Sequence, residues 1–92
     1  MTDKTTKIFL TMKRLLVEGI KFYEDKTEMW FSNFNPQLCE AYGMGHTLVI
    51  YEEWTYEEFD NIFKKIKDEV LQQVLEVGVE ETLTNINSKL SL

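Results

Sequence analysis

From Thr55 to Gly78 the sequence spells one long amphipathic helix, and any fold for this chain has to cover its apolar side. Phe59, Ile62, Phe63, Ile66, Val70, Val74 and Val77 fall at helical spacing and make one continuous stripe. Its start is marked. Thr55 stands three residues before Glu58, the capping-box spacing that lets side chains satisfy orphan amides at a helix N-terminus. Trp54, just before the cap, and Phe59, at the fourth helical position, have the placement of a hydrophobic staple. Gly78 offers a stop, and Val79, Leu83, Ile86 and Leu90 predict a shorter helix behind it.

The stretch "TDKTTKIFLTMKRLLVEG" predicts a second amphipathic helix. Phe9, Met12, Leu16 and Ile20 lie on one face, widened by Ile8 and Leu15, with Thr2 or Asp3 as cap and Gly19 as terminator. A strand through Lys7–Leu10 competes, but the helical period is preferred. The period then changes. In "IKFYEDKTEMWFSNF", Ile20 and Phe22, then Met29 and Phe31, alternate with other residues around a polar "EDKT", which predicts a β-hairpin. Asn35-Pro36, Gly43 and Gly45 punctuate the next segment, with room for a short helical turn from Pro36 to Tyr42. "HTLVIYEE" reads as a third strand because branched and aromatic residues suit a pleated surface. The expected class is therefore α+β: an N-terminal helix, a small three-stranded antiparallel sheet, and a long and a short C-terminal helix packed on one face.

At 92 residues the chain is expected to form a single compact domain over residues 1–92, and its 43% hydrophobic content is ample for a core. The net charge is −6, unevenly spread: residues 1–23 sum to +3 and the rest to −9. A body of that sign repels polyanions, so direct nucleic-acid binding through Lys4, Lys7, Lys13 and Arg14 is not expected. Cys39 is the only cysteine, which excludes a disulfide within the chain and suits a reducing compartment. No signal-peptide pattern and no apolar run of membrane-spanning length is visible, so a soluble, cytoplasmic protein without membrane contact is expected.

Little in the sequence resembles a chemical site. Cys39 and His46 flank a Gly43-Met44-Gly45 bend, and a nucleophile pair would need their side chains in contact. Zinc wants four nitrogen or sulfur ligands, and no phosphate loop, dinucleotide fingerprint or calcium loop is present. No catalytic residue, metal or cofactor is expected. What remains is "YEEWTYEEFDNIF", where rings and acids alternate. The helix start accounts for Thr55, Glu58, Trp54 and Phe59, and its dipole favours early carboxylates. Tyr51, Glu52, Glu53, Tyr56, Glu57 and Asp60 are left over, with a second acidic knot at Glu24, Asp25 and Glu28.

Tyrosines among carboxylates make a protein-binding surface, since rings bury area while their hydroxyls stay wet. The expected function is a small acidic module that occupies a partner protein with a basic surface. Tyr56, with Tyr51 or Trp30, would anchor the contact. In size, acidity and lack of catalytic apparatus the chain is similar to the broad group of small phage-encoded inhibitors and nucleic-acid mimics, anti-CRISPR proteins included, a likeness that carries no motif. It implies inhibition of a nucleic-acid-handling enzyme, with carboxylates imitating phosphates. The alternative is a self-associating accessory protein, a homodimer joined through a strand edge or through the apolar excess of Val70–Leu90.

Overall fold

Among the described residues, three helices are built around the first. The computed structural model describes residues 3–22 and 36–91, which form α1 (Asp3–Phe22), α2 (Pro36–Glu52), α3 (Tyr56–Val77) and α4 (Val79–Leu90). α1 packs against each of the other three. Its buried side, Thr5, Met12, Leu15, Leu16, Val17 and Ile20, is the predicted stripe widened by Val17 and carried back to Thr5. Asp3 in the first turn and Lys21 in the last both suit the helix dipole. α1 settles Lys7–Leu10 as helix. It also runs through Gly19 to Phe22, so neither the predicted stop nor the start of the predicted hairpin is found there. The rest of that hairpin, with Met29 and Phe31, lies outside the described residues.

The expected α+β class is wrong: the protein is all-α, and no strand occurs among the described residues. The decisive segment is α2. It absorbs the predicted short turn, passes through Gly43 and Gly45, and continues over the predicted third strand to Glu52. β-propensity lost to packing there. The buried residues of α2 are Ala41, Gly45 and Leu48, at helical spacing. Gly45 is where α2 meets α3: a Cβ built on it would fall 1.8 Å from Phe59 Cζ. Only a residue without a side chain lets the ring lie against that backbone.

α2 closes with the chain in left-handed conformation at Glu53, φ 56°, while the Trp54 amide donates to the Val49 carbonyl at 3.1 Å. This six-to-one bond is that of a Schellman cap, with glutamate in the place glycine usually takes. α3 begins at the predicted cap, Thr55, while the other half of the capping box meets the Thr55 hydroxyl instead of its amide and Trp54 packs on α1. Thr55 is extended, and the Glu58 amide donates to its hydroxyl oxygen at 3.1 Å. The Thr55 hydroxyl in turn lies 3.2 Å from the Glu58 carboxylate. Trp54 is half-buried with its ring tilted against Phe9 of α1, at 6.2 Å between centroids.

Phe59, Phe63, Ile66 and Val70 are buried on α3, whereas Val77 is exposed, so the stripe fades before the helix ends. Gly78 then turns the chain at φ 88°, ψ 165°, backbone that costs a side-chain-bearing residue dearly. α4 follows at once, burying Thr82 and Ile86 against the rest. Thr82 donates to the Gly78 carbonyl at 2.7 Å.

The charge asymmetry has a structural use. Lys13 of α1 pairs with Glu69 of α3 at 3.3 Å, and Lys21 with Glu80 of α4 at 2.8 Å, while Arg14 lies 3.8 Å from Glu18 within α1. The basic helix sits among acidic ones. Each exposed pair contributes little, about 0–1 kcal/mol.

Candidate functional site

The turn between α2 and α3 brings most of the predicted site residues into the structure, but on two sides of one corner. Tyr51 and Glu52 face the start of α1. Lys4 Nζ lies 4.4 Å above the Tyr51 ring, and the buried Thr5 hydroxyl donates to Glu52 Oε1 at 2.6 Å. Glu52 is half-buried at the N-terminal end of α1, where the helix dipole favours its charge. Its carboxylate ties α2 to α1, which removes it from the set of acids offered outward.

Tyr56 and Asp60 face the other way, toward α2. The Tyr56 hydroxyl is 3.3 Å from His46 Nδ1, with ring centroids 5.6 Å apart. The Tyr42 hydroxyl donates to Asp60 Oδ1 at 2.9 Å. That bond to the carboxylate, then partial burial and the nearby negative charge, hold the Tyr42 phenol above its ordinary pKa. Tyr42 also rests on Phe59 and Phe63, at 5.2 and 5.3 Å, which continues the core to the surface. Glu53 at the turn and Glu57 in the first turn of α3 are exposed. The ion pairs among the described residues leave both out. Glu24, Asp25, Glu28 and Trp30 lie outside the described residues.

The sequence reading missed the element that unites this side. Tyr42, His46 and Ile50 are four residues apart along α2 and form one stripe on its outer side. Ile50 is 78% exposed, Tyr56 56% and Tyr42 38%. A signal was available: the eleven residues from Ala41 to Tyr51 contain no Asp, Glu, Lys or Arg. An outward helix face usually carries charge, and depletion of charge marks the centre of contact surfaces. The sequence reading took the segment for a strand, where alternating burial would have explained that composition.

Cys39 and His46 stand two turns apart on one helix, about 10 Å along its axis, so thiol and imidazole are not a contact pair. Among the described residues no three His, Cys, Asp or Glu side chains gather as a metal site would require. Among them, too, no helix is long and apolar enough to cross a membrane. A groove of about 1030 Å³ opens among α1, α3 and α4, lined by Leu10, Lys13, Val70, Gln73, Ile86 and Lys89 among others. It holds none of the predicted site residues and mixes both charges. The chain matches no protein-family model, no curated protein and no solved structure.

Proposed function

We propose that this chain is a small acidic protein-binding module that acts by occupying a partner with a basic surface, in the manner of an inhibitor from a phage or mobile element. The observation that carries the reading is the Tyr42–His46–Ile50 stripe with Tyr56 beside it: exposed apolar and aromatic area on a helix that has shed its charges. Glu53, Glu57 and Asp60 border it and would steer a cationic surface toward it. Glu53 adds weight, because a carboxylate is kept at a left-handed position where glycine is less strained.

The aromatic anchor is favoured over close imitation of a phosphate backbone. Glu52, Glu58 and Asp60 already engage Thr5, Thr55 and Tyr42, so few of the acids face outward unengaged. A basic enzyme that handles nucleic acid remains the partner class of choice, met in a reducing, cytoplasmic setting that suits the single cysteine. Capture from a host extract in rising salt, with wild type and Ile50→Asp side by side, is the test. The expected result is a basic protein retained by wild type, released by salt and missed by Ile50→Asp. Capture that ignores both salt and the substitution would refute the reading. Self-association is the second reading, favoured by Leu75, 70% exposed near the far end of α3. Sedimentation across a concentration series separates a monomer from a dimer.

A further inference from the structure

α2 carries two glycines two residues apart, and among the described residues only one of them has a packing role. Gly45 is forced by Phe59. Gly43 is exposed in mid-helix, its φ is not positive, and a Cβ there would meet nothing within 4 Å. Glycine is the poorest residue for a helix interior after proline. This chain's described contacts therefore give no reason for it. Gly43 adjoins Tyr42 and lies one turn before His46 and two before Ile50, on the same side of α2 as the exposed stripe. A missing side chain there leaves a notch beside Tyr42, at the end of that stripe near Glu40.

We infer that the docking surface extends along α2 to Gly43, and that a positively charged helix of the partner crosses α2 there in close backbone approach. Small residues at a crossing let helix axes approach toward the near end of the usual 8–10 Å range. Charge selects the occupant. Exposed Glu40 stands at one end of the uncharged stripe together with Asp60, which accepts from Tyr42, and exposed Glu53 stands at the other, with Glu57 on the first turn of α3. Lys67, over the Phe63 ring, tempers that border on the α3 side. A second copy of this chain crossing at the same glycine would bring acids against acids at a net charge of −6 each. Lysines or arginines flanking an apolar helix face would instead find complementary charge at both ends.

This inference rests on the reading of the α2–α3 corner as a docking surface, and one experiment separates their failures. A synthetic amphipathic helix of leucine and lysine is titrated into isotopically labelled wild type, Gly43→Gln and Ile50→Asp, and amide shifts are followed by NMR. Thermal melts confirm that each variant is folded. The expected result is saturable shifts centred on residues 42–50, with affinity about tenfold weaker in both variants. If Gly43→Gln binds as wild type while Ile50→Asp does not, the corner docks ligands but the crossing at Gly43 is refuted. If both bind as wild type, or shifts scatter over carboxylates throughout the chain, the docking reading itself falls. Concentration-dependent sedimentation without peptide, abolished by Gly43→Gln, would assign the notch to a second copy and overturn the basic partner.

Discussion

Gly45→Ala should be among the most damaging single-methyl additions this chain can receive, and its size can be worked from the contact. The new Cβ would lie 1.8, 2.2 and 2.5 Å from three Phe59 ring atoms, where carbon contacts ordinarily sit at about 3.5–4.0 Å. The ring would have to retreat by about 1.5–2 Å. Phe59 is 1% exposed and flanked by Tyr42 at 5.2 Å and Phe63 at 5.6 Å, so its retreat would press on packed neighbours. Overpacking of this kind costs about 1–3 kcal/mol or more, and so tight a contact belongs at about 3. Helix propensity returns about 1 kcal/mol when alanine replaces glycine. The net loss is about 2 kcal/mol, or a fall in Tm of about 8–16 °C for a domain of this size. Gly43→Ala is the internal control: with open space around it, propensity alone acts, and stability should rise by about 0.5–1 kcal/mol. Two glycines on one helix thus give opposite signs. Adding Phe59→Leu to Gly45→Ala should recover part of the loss, with a coupling of about 1 kcal/mol in a double-mutant cycle. If the two alanine variants melt together, α2 does not meet α3 at Gly45, and the packing of the corner described above is wrong.

Thr55→Ala removes the oxygen that accepts from the Glu58 amide, and should lower stability by about 1 kcal/mol in denaturant titration. An unchanged midpoint would mean that the start of α3 is held by packing alone. Glu53→Gly relieves the left-handed strain at φ 56° and should raise stability by about 0.5–1 kcal/mol while weakening capture of a basic partner. Loss of stability there would show that the glutamate side chain is needed for the cap. The Tyr42 phenol, held up first by its bond to Asp60, should ionise above the ordinary value of about 10, and Asp60→Asn should bring it down. Because the folded pKa is raised, the linked stability is fully present below about pH 10 and fades as pH climbs through the folded value. Phenolate absorbance followed with and without Asp60→Asn checks this, and identical curves would refute the contact.

α1, α3 and α4 were legible because their buried residues are large and apolar and repeat at helical spacing. Phe59, Phe63, Ile66 and Val70 announced their face, and Thr55 and Gly78 announced its ends. α2 was illegible for the converse reason. Its inward positions are Ala41, Gly45 and Leu48, followed one turn on by half-buried Glu52, a stripe whose members are mostly small or charged, so no hydrophobic period shows. Three of its large residues, Tyr42, Ile50 and Tyr51, are exposed, and their branched and aromatic character imitates a strand. The glycines read as breakers, since nothing local discloses that Phe59 lies across Gly45. The candidate site was legible as a set of residues but not as a surface. Tyr56 and Asp60 join Tyr42 and His46 across a turn, an adjacency that follows only once α2 is helical.

Local preference argues against helix through most of α2, with two glycines in its interior and Thr47, Val49 and Ile50 β-branched. Its helicity must therefore come from what it touches: Phe59 through Gly45, and α1 through the bond from Thr5 to Glu52. That dependence divides the acids of the corner into two kinds. Glu52, Glu58 and Asp60 spend their oxygens holding helix to helix, helix start to cap, and Tyr42 to α3. Glu53 and Glu57 have no such contact among the described residues and stay exposed beside the stripe. Carboxylates that seemed redundant as capping charges are thus not one pool. The engaged ones fix the orientation of an uncharged helix face, and the unengaged ones, with Asp60, whose charge the bond from Tyr42 leaves in place, supply the field around it. Loosening any contact of the first kind should tilt the stripe without touching it, so capture of a partner would fail for reasons unrelated to charge.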